Sequence, residues 1–492
     1  MLFVESRTAE TFVDGPRRIV VLERLQERGL TPLIRASRLY CFEQALTGGA
    51  GRAGELERLV AEWAEAEGDA PYVRGDVFCF EDFAHFLVFG DAADGAGALR
   101  AGIVYNAETD EPARKLEAFC RNVEEAVAQA EARAGREAGG PGLHQASPAR
   151  FEWRARAENE GDVLTRFSSS TPTGVEASAP QNLARGAEGT ERTRVAELLE
   201  DAAARDFLQR LSDANADGRA AEMLAPSGGA REPAREALIA RLAGAGLVRR
   251  EVQVSCRKDG HSIFRLPSPE ALSIVTGSNA LCSVCGAAVA DERAEELLTP
   301  TPLASSMLSD GGWMVNSLRA VLSELGLPAA SVAARTSPSD EGGGAQMLAE
   351  VCGERFLFVL RDGDFTAAHA RHALEAEAET SAAHLVAVAT GKIQEEARVR
   401  LRDHARRRSR TGGGAEVVFV EGLERAAAEL RPAFERVSQA AVTRELYELD
   451  ASAGFDVGHM IAERFRLAHK AGALQNLAAS AAGSLAGSLR EI

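Results

Sequence analysis

The sequence predicts a multidomain α/β protein, and three observations carry that expectation. At 492 residues the chain exceeds what one hydrophobic core organises, since domains usually hold about 100 to 200 residues. Hydrophobic residues make up 45% and charged residues 26%, the balance of a chain that folds, which excludes a disordered or fibrous protein. Short β-like runs alternate with helical periodicities, and one long Gly-, Ser- and Pro-rich stretch interrupts them. A net charge of −17 opposes general adsorption to nucleic acid or anionic membrane, so any nucleic-acid contact has to be local. The chain shows no apolar run long enough to span a bilayer and no secretory leader, so a cytoplasmic protein with no membrane partner is expected. Seven cysteines, an odd number, do not read as a disulfide framework.

Residues 1–137 mix both patterns and are expected to form an α/β domain whose role the sequence does not disclose. Arg18 to Leu22 and Val77 to Phe80 look like strands, and Gly54 to Ala66 and Ala113 to Arg136 look like helices. Residues 138–192 are expected to be a linker, because such composition cannot bury enough apolar area to offset ordering entropy. Within it, Phe151, Trp153 and Phe167 offer a possible short strand that docks on a neighbouring domain.

From 193 to 255 the apolar residues fall at helical spacing: Val195, Leu198, Leu199, Phe207, Leu208 and Leu211, then a short helix at Arg219 to Leu224, then Leu238, Ile239 and Leu242. Gly246 ends that last helix, and Leu247 to Val254 alternates like an edge strand. The order resembles a winged helix-turn-helix, whose last helix would enter a major groove. Between Arg231 and Lys258 seven basic residues stand against three acidic ones, a local net of +4 in an acidic chain. That reversal favours phosphate contact, with Arg235, Arg241, Arg249 and Arg250 as the expected DNA-binding residues and double-stranded DNA as the partner.

Residues 256–300 contain two knuckle-like turns. Cys282-Ser-Val-Cys285-Gly is complete, and Cys256-Arg-Lys-Asp259-Gly-His261 resembles a zinc-ribbon knuckle with Asp259 in place of its second cysteine. Zinc takes four ligands in a tetrahedron, so Cys256, Cys282 and Cys285 need either Asp259 or His261 to close a structural site. The alternative is a ribbon that has lost its metal and holds together by packing.

From 310 to 430 the expected order is helix, three strands, helix, strand, with a hairpin turning at Cys352-Gly353-Glu354 and a further basic helix, Ile393 to Arg410, before a last strand. The segment AEVCGERFLFVLRDGDF is similar to the central hairpin of the restriction-endonuclease-like superfamily. That resemblance implies an αβββαβ core in which acids on adjacent strands hold Mg²⁺ and a lysine positions the attacking water. The positions matching the family's acid, acid and lysine are Gln346, Val359 and Arg361. Glutamine is a poor Mg²⁺ ligand, valine is none, and arginine stays protonated, so the resemblance implies an inactive, nuclease-like domain. Under the alternative of a divergent Mg²⁺-dependent nuclease, Glu350, Asp362 and Asp364 are the carboxylates to consider. The helix Arg398 to Arg410 carries seven arginines and one aspartate, and Arg406, Arg407 and Arg408 are the expected second DNA contact.

Residues 431–492 read as C-terminal helices ending in a small-residue tail, a packing element or an oligomer contact. Together these features predict a non-catalytic DNA-binding or DNA-sensing subunit with a protein partner or a second copy of itself. Assemblies of this makeup occur in prokaryotic antiviral defence and mobile-element systems, an analogy of fold. A protein-interaction scaffold without DNA affinity is the remaining alternative.

Overall fold

The computed structural model describes residues 1–46, 52–66, 72–90, 98–137, 151–155, 164, 167, 187–216, 232–277, 280–309, 311–337, 344–410 and 416–468. Mixed α/β structure with three sheets fills them. The expected short helix at 219–224 and the tail beyond 468 lie outside the described residues.

The first sheet is antiparallel. Strand β1 (Leu2–Glu10) leads through helices α1 (Gly15–Glu27), α2 (Leu33–Ala45) and α3 (Arg52–Ala66) to β2 (Gly75–Cys79), β3 (Phe83–Phe89), β4 (Ala98–Asn106) and the long helix α4 (Pro112–Glu137). Strand order is β2-β3-β4-β1, extended by the two residues of β5 (Arg154–Ala155), which pair with Arg7 and Thr8. Phe151 and Trp153 pack beside the same core, and the Trp153 indole donates to Glu124 at 2.7 Å. Phe167 instead buries itself against the third sheet.

Arg18 to Leu22 is helical, not extended. Asp14 caps the helix by accepting from the Arg17 N–H at 3.0 Å, Pro16 sits in the first turn, and Ile19, Leu22 and Leu25 line the buried face at helical spacing. That local start signal outweighs the β preference of Ile19-Val20-Val21. Asp76 holds the N-terminus of α2 from inside the core: its carboxylate accepts from the N–H groups of Ile34, Arg35 and Val77 at 2.7–2.8 Å. Burial raises its pKa to about 6 against the pull of those three donors.

The middle module runs α5 (Ala187–Glu200), α6 (Ala202–Ala216), α7 (Glu232–Gly244), β6 (Val248–Ser255), β7 (Ser262–Leu266), α8 (Pro269–Gly277), β8 (Arg293–Pro300) and α9 (Pro302–Ser309). Strand β6 lies between β7 and β8, so the segment expected at an edge is central. Val248, Val252 and Val254 are buried on it, and both sides of its backbone are paired.

The third sheet follows α10 (Gly312–Glu324) and comprises β9 (Val332–Ser337), β10 (Gly344–Val351), β11 (Glu354–Arg361), then α11 (Ala367–Thr380), β12 (His384–Ala389), α12 (Glu395–Arg410) and β13 (Glu416–Glu421). Its strands lie in sequential order. β10 is antiparallel to both neighbours, while β11, β12 and β13 run parallel. Cys352 and Gly353 make the hairpin turn with φ of +51° and +81°.

Helix α13 (Ala426–Ala453) ties the modules together. Leu430, Ala433, Phe434 and Val437 lie in one core with the third sheet and the helices of the middle module. Val442, Leu446 and Leu449 lie in another, with Phe86, Val88 and Val104 of the first sheet. A last helix, 457–468, adds Ile461 and Phe465 to that second core. Gly75, at φ +151°, is required here: a Cβ would sit 2.7 Å from the Leu449 side chain and 2.0 Å from the Leu87 carbonyl oxygen.

Two outcomes are expected. Leu446→Ala, at a fully buried position, should cost about 2–5 kcal/mol in a denaturant titration; a loss below about 0.5 kcal/mol would contradict the shared core. Because Asp76 binds its proton more tightly in the fold than in the unfolded chain, its ionisation removes stability as pH rises from about 4 through 6. The stability of the wild type relative to Asp76→Asn should therefore fall by about 2 kcal/mol between pH 4 and 7, whereas a pH-independent difference would exclude a protonated buried carboxyl.

Candidate metal centre and nucleic-acid surface

The pairing register builds the candidate metal centre. Ser255 pairs with Arg293, so Cys256 and Glu292 are the next residues beyond the end of the β6–β8 ladder and come together there. Between them the chain makes two turns of one design. The Gly260 N–H donates to the Cys256 carbonyl at 2.8 Å, and the Gly286 N–H donates to the Cys282 carbonyl at 2.9 Å. Both glycines are left-handed, at φ +78° and +75°. Each turn is then closed across the same offset, Cys256 N–H to the His261 carbonyl at 2.9 Å and Cys282 N–H to the Ala287 carbonyl at 2.8 Å.

This arrangement aims the sulfurs of Cys256, Cys282 and Cys285 and a carboxylate oxygen of Glu292 into one volume, all within 4.8 Å of one another. The cluster can hold a metal ion. Glu292 is 6% exposed; one oxygen accepts from the Arg257 N–H at 2.6 Å and the other from the Cys285 thiol at 3.0 Å. Those two donors, with the charge of Arg257, hold the Glu292 carboxyl below its ordinary pKa, so it stands ionised beside the three sulfurs, as a metal ligand must. Backbone N–H groups of Cys285 and Val284 directed at the Cys282 sulfur hold that thiol below its ordinary pKa, while the Glu292 carboxylate pushes Cys285 up to about 12. A cation at the centre would reverse the second effect, because metal coordination favours the thiolate.

Of the residues expected from the sequence, the structure brings Cys256, Cys282 and Cys285 together. Asp259 and His261 form a second, overlapping group with Cys256. The Asp259 carboxylate is hydrogen bonded to His261 Nδ1, and Nε2 lies 3.9 Å from the Cys282 sulfur. Glu292 went unrecognised in the sequence because it belongs to no knuckle; only the β6–β8 register would have found it.

In the third sheet, Gln346 lies opposite Val359, and Arg361 lies opposite Gly344. Gln346 accepts from Arg335 Nε at 2.8 Å, and Val359 packs into the core beside α11 and α12. Glu350 stands at the turn end of the hairpin, whereas Asp362 and Asp364 follow the opposite end of β11. Seven residues separate Asp362 from Glu350's cross-strand partner Arg355, about 23 Å in an extended strand. Asp362 accepts from Thr390 Oγ1 at 2.7 Å and pairs with Arg205 at 3.4 Å, and Asp364 accepts from the Lys392 N–H at 2.8 Å. Among the described residues no metal-competent group forms at this hairpin.

The expected basic contacts are distributed unevenly. Arg235 is half-buried on α7. Arg241, Arg249 and Arg250 are exposed, each beside one carboxylate: Asp201 at 3.9 Å, Glu251 at 3.6 Å and Glu296 at 3.4 Å. As neighbours on a strand, Arg249 and Arg250 point to opposite faces and cannot follow one phosphate track. On α12, Arg406 is exposed with Asp403 at 3.7 Å, and Arg407 Nε donates to the Asp403 carbonyl at 3.2 Å. Arg408 is used internally, bonded to the buried Glu377 carboxylate and, at 2.8 Å, to the Ala382 carbonyl.

No helix among the described residues is long and apolar enough to cross a membrane. Comparison with protein-family models, with curated proteins and with solved structures gives no match.

Elemental analysis of the purified protein should give about one metal ion per chain, and the double substitution Cys282→Ser, Cys285→Ser should abolish it. Glu292→Ala should weaken metal affinity at least tenfold in a chelator competition; unchanged affinity would remove Glu292 from the centre.

Proposed function

We propose that the chain is a non-catalytic DNA-binding subunit, with structural zinc fixing the tip of a wing and a nuclease-like sheet that does not cleave. The observation that carries this reading is the hairpin of the third sheet. Its sequential, mixed strand order, with β10 antiparallel to its neighbours, resembles the restriction-endonuclease-like core. The carboxylates that would have to converge on Mg²⁺ stand at opposite ends of the hairpin, and catalysis of this kind requires acids gathered on one ion.

Support for the DNA-binding part comes from the middle module. Three helices followed by the β6–β8 hairpin reproduce the order of a winged helix, with the two knuckles inserted between the hairpin strands. Three thiolates with one oxygen or imidazole donor suit zinc better than a hard cation. The closed donor set fits a structural role: zinc would fix the two turns against each other and leave Arg257 and Lys258, exposed on the first turn, at a defined position. DNA would be held by exposed arginines of α7 and β6, Arg241 and Arg249 first, whose single carboxylate partners a phosphate can displace.

Fluorescence anisotropy with a labelled duplex over a salt series tests the reading. Affinity should fall steeply between 50 and 200 mM salt, by roughly tenfold or more, and charge reversal at Arg241 and Arg249 should remove most of it. The same duplex should stay intact with Mg²⁺ or Mn²⁺. Cleavage would identify a nuclease instead, and the absence of any duplex affinity would identify a protein scaffold.

A further inference from the structure

Strand β13 ends the third sheet, and among the described residues its outer edge pairs with nothing. Its sequence, Glu-Val-Val-Phe-Val-Glu, is β-branched and aromatic without glycine or proline, a composition that readily takes up another strand. Val417 and Phe419 pack with α12 on one face, and Val418 and Val420 pack with α13 on the other. The open edge is therefore the floor of a groove of about 420 Å³ between two helices.

Arginines form the walls. Arg398 and Arg402, one turn apart on α12, lay their guanidinium groups over the Phe419 ring at 4.9 and 5.2 Å. Arg425 and Arg436 stand on the other side. Arg398 neutralises Glu421 at 2.7 Å, and Arg436 is paired with Glu416, so the strand's own carboxylates are matched. Among the described residues Arg402 pairs with Glu395 at the long distance of 3.9 Å, and Arg425 makes no ion pair within 4 Å, although its charge helps to hold the Glu421 carboxyl below its ordinary pKa. The groove is thus lined by four arginines against three carboxylates, Glu416, Glu421 and Glu429, one positive charge in excess in a chain of net charge −17.

This charge arrangement selects the occupant. A second copy offering the same edge would set arginine wall against arginine wall and, in antiparallel register, Glu416 against Glu421. A phosphodiester strand would meet the cations but leave the unpaired backbone N–H and C=O groups of β13 without partners. An extended polypeptide with carboxylates satisfies both, because backbone pairing gives affinity and alternate side chains give selectivity. We propose that the β13 edge is a docking site for an extended acidic segment of a partner protein, added to the sheet as a sixth strand.

The test uses the full chain and a fluorescein-labelled eight-residue peptide alternating Glu and Val, with a Lys/Val peptide and an N-methylated Glu/Val peptide as comparisons. The Glu/Val peptide should bind at least tenfold more tightly than either comparison, and Arg402→Glu with Arg425→Glu, both at solvent-accessible positions, should weaken it at least tenfold. Equal binding of the Lys/Val peptide, indifference to N-methylation, or full affinity in the double variant would each overturn the proposal. So would a dimer in light scattering whose hydrogen exchange protects β13 at its outer edge.

Discussion

The packing of a single helix on two sheets sets the shape of this protein. Helix α13 spans 28 residues, about 42 Å, and no segment of that length can serve one small core alone. Its first half closes the third sheet through Phe434, which meets Phe356 edge-on with ring centroids 4.8 Å apart. Its second half closes the first sheet through Leu446 and Leu449. Polar contacts follow the same line: Ser438 accepts from the Leu2 N–H, the Glu445 carbonyl accepts from Arg100, and Ser452 accepts from the Arg74 N–H. The N-terminal and C-terminal parts of the chain therefore stabilise each other through a segment that the sequence presents only as a helix of unknown partner.

The middle module depends on the same continuity at its base and on charge compensation at its tip. Leu199, Phe207, Leu208 and Leu298 share their core with Trp313 and Met314 of α10, so the helices of the middle module are anchored to the third sheet. The far end of the hairpin has a smaller apolar support: Val252, Val254 and Val289 form a separate cluster with partly buried residues such as Ile263, Phe264 and Leu272 packed on it, beside the buried Cys256, Cys282 and Glu292 and the half-buried Cys285. A cation held by this cluster would link both turns to the end of the ladder, and folding of the tip and metal binding would then be one event.

Much of this was legible in the sequence where local rules govern. The central hairpin, the helices that follow it and the buried strand β12 announce themselves by periodicity, because a sheet covered on both faces demands long apolar runs such as Leu385 to Ala389. The cysteines were legible because zinc chemistry restricts their spacing. What stayed hidden depends on distant residues. Ile19-Val20-Val21 looks extended until Asp14 and the helix-start proline are weighed, β6 looks like an edge until β8, some forty residues on, is paired with it, and Glu292 has no motif to mark it. A run of arginines does not reveal which one faces the buried Glu377, the partner of Arg408.

The account rests on Gln346 and Val359 standing where metal-binding acids would be in an active nuclease-like sheet. Calorimetric titration of Mn²⁺ into the wild type and into the Gln346→Asp, Val359→Asp variant, each with the thiol cluster already loaded with zinc, tests this most directly. The account predicts no further binding in the wild type and one new site in the variant. Mn²⁺ binding at the hairpin of the wild type, or none in a folded variant, would contradict it.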